Sequence, residues 1–443
     1  MVMETLAELD TTSVTSLVEH WSTLPLDARK EYFNRLPRTE AEELFLNLKG
    51  PDQFELLSEL SPLEKRSWIR LLAPDDVADL IQLFELEQRQ DALLLLDEQT
   101  RHEVSGLLAY AEDNAGGLMN PRYIRLRPDM TVEEAIRYIR AQARNPIEII
   151  YYAYVLNALQ QLKGVVSFRE LFLAPPNRFV HEIMIKEVVS IDEKMDQEEV
   201  SRQFAQHEFM AMPVVDEEER MKGIVTVDDI VTVVEEEATE DIQKLGGTQA
   251  LDAPYLKIGF REMFRKRGVW LTILFIGELF TASAMGYFEH HIQKAVILAL
   301  FIPLIISSGG NSGSQASTLI IRALALRELQ LRDWWRVLMR ELAMGLALGT
   351  FLGVIGLMRV VLWPIKDAQY TEHFWLIGIT VATSVIGVVL WGSLAGAMLP
   401  FVLRRFGLDP AAASAPLVAT LVDVTGLVLY FSMASLILTG VLL

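Results

Sequence analysis

Residues 416–443 read PLVATLVDVTGLVLYFSMASLILTGVLL, and only one of these 28 side chains, Asp423, is charged at neutral pH. A run of roughly 20 apolar residues is long enough to cross a bilayer as a helix. A carboxylate in the middle of such a helix is disfavoured by about 2.5–3.5 kcal/mol on insertion scales, so it faces a bundle interior or a wet cavity. Thr420, Asp423, Thr425 and Gly426 form a small polar, close-packing set within the run. The sequence therefore points to Asp423 as the cation site of a membrane pore. A structural polar contact between helices is the alternative.

Four apolar stretches precede this one, at about 268–289, 295–321, 338–363 and 374–403, each long enough to span. Their flanks carry a charge code. Arg261, Arg265, Lys266 and Arg267 precede the first, and Arg322, Arg327, Arg332 and Arg336 follow the second. Arg404 and Arg405 follow the fourth, while the loops at His290-His291 and 366–371 are poor in Lys and Arg. The positive-inside rule then places the N-terminus in the cytoplasm and the C-terminus outside, in a multi-pass protein of the cell (inner) membrane. The opening MVMETLAELDTTS lacks the basic start and apolar run of a secretory signal. The paired histidines read as an exposed loop rather than a metal site.

The second stretch is unusual, for SSGGNSGSQAST occupies positions 307–318. Such a sequence is tolerated at membrane depth where it is buried in protein or lines water. Its amide and hydroxyl oxygens accept hydrogen bonds from the waters of a hydrated ion, and its glycines also allow helices to approach closely. Glu278, near Thr281 and Ser283, is a second candidate for a buried carboxylate. Asp409 falls just before the fifth stretch.

Charge is unevenly divided. Residues 268–443 carry 10 Lys+Arg and 9 Asp+Glu, a net of +1, so of the chain's net −19 the first 267 residues hold −20. That excess repels nucleic acid and favours cations. There is no cysteine, hence no disulfide framework or thiolate metal site. No P-loop, nucleophile elbow or metal-hydrolase motif occurs, so an enzyme is not expected.

Residues 1–115 predict an all-α domain of short helices wound into a superhelix. Prolines at 25, 37, 51, 62 and 74 recur every 11 to 14 residues, each opening a new apolar-periodic run. Ser61-Pro62-Leu63-Glu64 is a capping box with proline at the first helical position. Asp75, Asp76 and Asp79 cluster at one helix start, where they compensate the helix dipole unless a facing partner makes them a cation site.

Residues 116–236 contain an internal repeat. Met119 pairs with Met184 and Gly164 with Gly223, at offsets of 65 and 59 residues. Each copy predicts β-α-β-β-α, and the better-formed second copy includes MPVVDEEERMKGIVTVDDI. The pattern resembles a tandem pair of CBS domains. In the first copy VLNALQQLKG replaces the acidic turn, which predicts a remodelled hairpin. CBS pairs commonly bind adenine nucleotides between their copies. The resemblance implies a cleft lined by Tyr152, Arg169, Glu170, Val189 and Phe209 for ATP or another adenine nucleotide, with a purely structural pair as the alternative.

Residues 237–267 predict a connecting helix that ends in the basic run 261–267. Glu235 and Glu236 precede it, and Glu237, Glu240 and Asp241 share one helical face, where water solvates them or a cation bridges them.

GGNSGSQASTLIIRALA, LRRFGLDP, PLVATLVDVTGL and TEDIQKLG together resemble the MgtE family of magnesium channels and transporters, over nearly the whole chain. The resemblance implies a multidomain fold: the superhelical N domain, the α/β CBS pair, the connecting or plug helix, and a pore domain of five helices over 268–443. It implies a homodimer that imports Mg²⁺ across the cytoplasmic membrane, with its pore on the two-fold axis and two copies of Asp423 around one ion. Asn311 matches the family's pore region, and Asp409 the mouth, where cytosolic Mg²⁺ bridges to the connecting helix. Glu237, Glu240, Asp241, Asp229, Glu208, Glu198, Asp75 and Asp79 match positions at or near regulatory Mg²⁺ sites.

Elementary electrostatics suits that reading. Mg²⁺ holds its waters tightly, and a pore of few carboxylates and many neutral oxygens binds the hydrated ion loosely enough for release. Two unit charges 4 Å apart interact by roughly 4 kcal/mol at an effective dielectric of 20, so bridging cations would turn repulsion between acidic faces into closure. An ion-coupled carrier is one alternative. A membrane-anchored nucleotide sensor is another, disfavoured by the polar second stretch and by Asp423.

Overall fold

The computed structural model describes residues 14–21, 24–142, 151–251, 255–256, 258–294, 296–362 and 373–439. The opening segment read against a secretory signal and the loop 366–371 lie outside them. The chain forms two compact units, Met1–Glu236 and Glu237–Leu443.

The first unit opens with short helices, from Val14–His20 to Glu98–Leu107. The five recurrent prolines set their starts. Pro25 and Pro37 are N-caps, and Pro51, Pro62 and Pro74 lie in first turns, where the missing N–H leaves no bond unmade. The predicted capping box is present, with Ser61 N donating to Glu64 Oε2 at 3.0 Å. Successive helices bury Phe33, Phe45, Trp68, Val77 and Ile81 in one core, which continues into Ile191, Val200, Val214 and Val225 of the second repeat.

Each repeat has the expected element order. Strands β1 (Ile124–Leu126), β2 (Tyr152–Leu156) and β3 (Leu162–Ser167) form one sheet, and β4 (Ile191–Asp192), β5 (Ala211–Val215) and β6 (Met221–Thr226) the other. In both, the first strand runs parallel to the second and the second pairs antiparallel with the third.

The first hairpin is not remodelled. Asn157 Oδ1 accepts from the backbone N–H of Leu159 and Gln161 at 3.0 and 2.9 Å. Asp216 Oδ1, 59 residues on, accepts from Glu218 and Arg220 at 3.0 and 2.8 Å. Gln160 and Glu219 both take φ of 61°. An amide oxygen performs the carboxylate's task, so losing the acid leaves the turn intact.

The repeats also exchange their opening segments. Asn120 bridges to Ile224 of the second sheet, and Ile185 bridges to Val165 of the first. A Cβ on Gly223 would lie 2.9 Å from Met119 Cγ, and one on Gly164 would lie 2.6 Å from Met184 Sδ. Each methionine thus covers the other copy's glycine.

In the second unit, five helices among the described residues are long and apolar enough to cross a membrane: Phe260–Tyr287, Val296–Ala325, Leu331–Leu362, Phe374–Arg405 and Ala415–Leu438. The connecting helix is shorter than expected at one end and longer at the other. Val227–Leu245 is one helix that starts as the last element of the second repeat, and the basic run 261–267 belongs instead to the first spanning helix. The break falls at Gly246-Gly247, where Gly247 has φ of +73° and a Cβ would lie 2.7 Å from Trp270 Nε1. Only glycine takes that backbone without strain.

Glycines also set the closest helix crossing. A Cβ on Gly313 would meet Gly392 O at 2.7 Å, and one on Gly396 would collide with Gly313 O. The second and fourth spanning helices therefore touch backbone to backbone.

Candidate cation site

The twelve positions 307–318 lie within a continuous helix, Ile302–Ala325, so their side chains alternate between faces. One set stitches the bundle. Ser312 Oγ pairs with Ser393 Oγ at 2.7 Å, and Ser317 and Ser314 donate to Ala413 O and Ala415 O at 2.7 and 3.2 Å. The other set, Ser307, Gly310 and Asn311, faces a cleft of about 430 Å³ between the first, second and fifth spanning helices. Both readings of this stretch hold, each for its own face.

Asp423 lines the same cleft, with Glu278 and Thr281 from the first spanning helix. The site thus joins the two pore residues marked in the sequence, Asp423 and Asn311, to Glu278. Asp423 is half-buried, whereas Asn311 and Glu278 are exposed on the single chain. Glu278 is not the buried carboxylate expected, because no part of the first helix's most apolar stretch is buried. The polar set on the last helix also splits. Thr425 turns away to accept from Trp391 Nε1 at 2.7 Å, and Gly426 packs against Val388 and Ile306.

Among the described residues no three carboxylates or imidazoles converge as a ready-made metal cage. The cleft offers two carboxylates, amide and hydroxyl oxygens, and a Thr281 Oγ1 with no protein hydrogen-bond partner. Such a donor set suits an ion that keeps its waters better than one stripped of them.

At the cleft's basic end, Asp409 caps a short turn, accepting from Ala411 N at 2.8 Å through one oxygen. Its other oxygen accepts from Lys244 Nζ at 2.6 Å, and the same ammonium lies 2.5 Å from Glu240 Oε1. Burial alone would lower the Lys244 pKa, but its hydrogen bonds to Asp409 and Glu240 outweigh that and raise it. Leu245 seats the helix end against Ile321, Ala411 and Ala413. Arg404 donates to Leu324 O at 3.2 Å, so the basic ends of the second and fourth spanning helices adjoin.

The acids of the first unit form a second cluster. Asp79 is solvent-accessible yet set deep among neighbours, and this burial, then the charges of Asp76, Glu112, Asp229 and Glu236, pushes its carboxyl up to about 8. Burial first, then Asp228, raises Asp76, although a backbone hydrogen bond opposes the shift. Asp75 and Asp229 were marked in the sequence, but Glu112, Asp228 and Glu236 were not. Their only prior signal was the acidic excess of the first 267 residues. Glu198 and Glu208 stand at opposite ends of the helix Gln197–His207, and Glu198 already pairs with Arg202 at 2.6 Å. Glu237 and Asp241 lie on the connecting helix beside Glu240.

Of the residues expected around a nucleotide, Tyr152 opens β2, Arg169 is exposed, and Val189 packs on the second repeat's core. The Phe209 ring stacks on His207 with centroids 5.5 Å apart. Glu170 accepts from Ser167 N and Oγ at 2.9 and 3.0 Å, so its carboxylate closes a capping box.

Comparison with known proteins agrees with this architecture. Family models match for the MgtE intracellular N domain over 12–113, CBS domains over 115–177 and 180–236, and MgtE, divalent cation transporter, over 302–433. The magnesium transporter MgtE of Thermus thermophilus is 46% identical over 347 residues, covering 78% of this chain and 75% of that protein. The magnesium transporter MgtE of Bacillus subtilis is 34% identical over 329 residues, covering 74% and 70%. A solved cytosolic domain of the Mg²⁺ channel MgtE in complex with ATP is 40% identical, covering 52% of this chain and 98% of that one, at a TM-score of 0.47. A five-helix membrane unit, a CBS pair and a helical N domain in one chain, with relatives this similar over most of its length, make the protein a member of the MgtE family of divalent cation transporters.

Proposed function

We propose that the protein is a Mg²⁺-selective channel that imports Mg²⁺ across the cytoplasmic membrane and closes when cytosolic Mg²⁺ binds its acidic residues. One observation carries this reading: Asp423, Asn311 and Glu278 face one polar cleft within an apolar helix bundle. A charge at membrane depth needs a partner or water. On the single chain the cleft is open on one side, so a second copy placed against it would close a pore around two Asp423 carboxylates. The homodimer follows from that need.

Gating uses the acids outside the bundle. Asp75, Asp79 and Asp229 lie within one repelling cluster of the first unit, and bound Mg²⁺ would turn that repulsion into attraction. Glu237, Glu240 and Asp241 sit on the connecting helix, which meets the mouth at Asp409. Glu198 and Glu208 add flanking charge. Moving a gate from 1:99 to 99:1 takes about 5.5 kcal/mol of differential binding, so several cation sites act together. The basic loops place the N-terminus inside and the C-terminus outside. The CBS pair would take an adenine nucleotide at Tyr152, Arg169, Val189 and Phe209, with Glu170 turned away from the ribose by its capping role.

The test is Mg²⁺ flux into liposomes, wild type beside Asp423→Asn, with lumenal and bath Mg²⁺ varied separately. Flux that needs Asp423 and falls when Mg²⁺ bathes the soluble unit is expected. Flux indifferent to Asp423 in folded protein would sink the pore assignment.

A further inference from the structure

A second cleft, of about 680 Å³, lies within the Met1–Glu236 unit. Its walls are the helical segment at Arg70 and Asp97–Glu103, the first repeat at Arg122, Tyr123, Arg125 and Tyr138, and Lys222 of β6. None of the residues expected around an adenine nucleotide lines it. The cleft inverts the charge of its surroundings: four cationic side chains and two acidic ones border it, in a part of the chain whose net charge is −20.

Both acids are already engaged. Asp97 caps the helix Glu98–Leu107, accepting from Thr100 N and Oγ1 at 3.1 and 3.0 Å, and the Thr100 backbone bond holds its carboxyl below the usual range. Glu103 accepts from Arg122 Nε at 2.9 Å, and Lys222 pairs with Asp216 at 3.1 Å. Arg70 and Arg125 remain. Neither has a hydrogen-bond or ion-pair partner among the described residues. Two permanently charged guanidiniums around one cleft repel each other, and each presents a planar fork of donors that matches phosphate oxygens. Beside them the Tyr138 ring is 41% exposed, free to stack on a planar group. Tyr123 is fixed edge-on to Tyr154, its hydroxyl donating to Met221 O at 3.3 Å.

We propose that this cleft is a binding site for a small phosphorylated anion, held by Arg70 and Arg125 and no larger than a nucleoside polyphosphate. Its volume falls within the roughly 300–1,000 Å³ of ordinary small-molecule sites. Because helical segment and repeats both contribute walls, a bound anion clamps one to the other. The neighbouring acidic cluster needs a cation for the same effect, so the unit is tied by ligands of opposite charge at two places.

The experiment is calorimetric titration of the full-length protein in detergent, with divalent ions chelated, using pyrophosphate, ADP and adenosine as separate probes. Wild type and Arg169→Gln are expected to bind pyrophosphate alike, and the double variant Arg70→Gln/Arg125→Gln at least about tenfold more weakly, with wild-type binding weakened by salt. ADP tighter than pyrophosphate would show that the ring contributes, and equal affinities that the phosphates alone suffice. If the double variant melts early, Arg125→Gln alone is compared with Arg125→Lys, which should keep most of the binding. The proposal fails if wild type binds neither phosphate probe, if adenosine alone binds, or if only Arg169→Gln loses binding.

Discussion

Lys244 Nζ donates to Asp409 at 2.6 Å while lying 2.5 Å from Glu240, so one ammonium holds two carboxylates together at the mouth of the membrane unit. A tethered monovalent cation occupies the position at which a divalent ion would join the connecting helix to the mouth. The two are competitors for the same oxygens.

Replacing Lys244 with Met removes that competitor and leaves both acids facing each other. The expected outcome is a fall of about fivefold in the cytosolic Mg²⁺ that half-inhibits flux, the low end of ordinary coupling energies. Liposome flux against bath Mg²⁺ reads it. A rise in the half-inhibiting concentration would mean that Lys244 is itself the closing contact.

The crossing at Gly313 and Gly396 leaves no room for a methyl group, since the atom in the way is a backbone oxygen. Gly396→Ala should destabilise the membrane unit by about 1–3 kcal/mol. Gly387→Ala, on the same helix with open space around it, should be neutral or stabilising by up to about 1 kcal/mol. Thermal unfolding in detergent separates them, and equal melting of the two variants would refute the close crossing.

Asn157 and Asp216 perform the same turn chemistry, so Asn157→Asp should leave stability nearly unchanged. Asn157→Ala strands two backbone donors and should cost about 1 kcal/mol or more. Chemical denaturation of the soluble unit, followed in the full chain, distinguishes them. A large loss with Asp would show that the amide nitrogen, which donates to Gln161 Oε1 at 2.9 Å, matters more than the oxygen.

Asp79 predicts a pH dependence. Its carboxyl is raised to about 8, so the folded unit holds this proton more tightly than the unfolded chain does. The stability it contributes is complete in acid, below the ordinary carboxylate range. It is lost as pH rises from about 4 through about 8. In chelator, the soluble unit's melting temperature should fall over that window, and Asp79→Asn should flatten the fall. A slope unchanged by Asp79→Asn would place the proton elsewhere, with Asp76 and Glu236, both also raised, as the next positions to test.

Features with local causes were legible from residue order. The five prolines marked helix starts because proline's missing N–H is harmless only there, and the apolar stretches marked the spanning helices because bilayer thickness sets their length. Asp423 and Asn311 could be singled out because polar groups are costly at membrane depth. Features with causes distant in sequence were hidden. Nothing near Gly396 says that Gly313 lies across from it, and nothing near Lys244 names Asp409, 165 residues away. The hairpin at Asn157 was misread for a different reason: a lost charge looked like a lost function, although the turn uses only an oxygen lone pair. Glu278 was misread because its helix lies outside the bundle it was expected to face.

The reciprocal cover of Gly223 by Met119 and of Gly164 by Met184 sets the order in which the ribosome's product can settle. The first repeat lacks its lid until residue 185 has emerged, and the second draws on residues 119 and 120, already made. Neither can finish as an independent module, so both must close together once the strand ending at Thr226 is free. For more than 100 residues of synthesis the nascent chain carries half-closed sheets, and in that interval the helical segment before them, with a core waiting for Val214 and Val225, is its own shelter against misassembly.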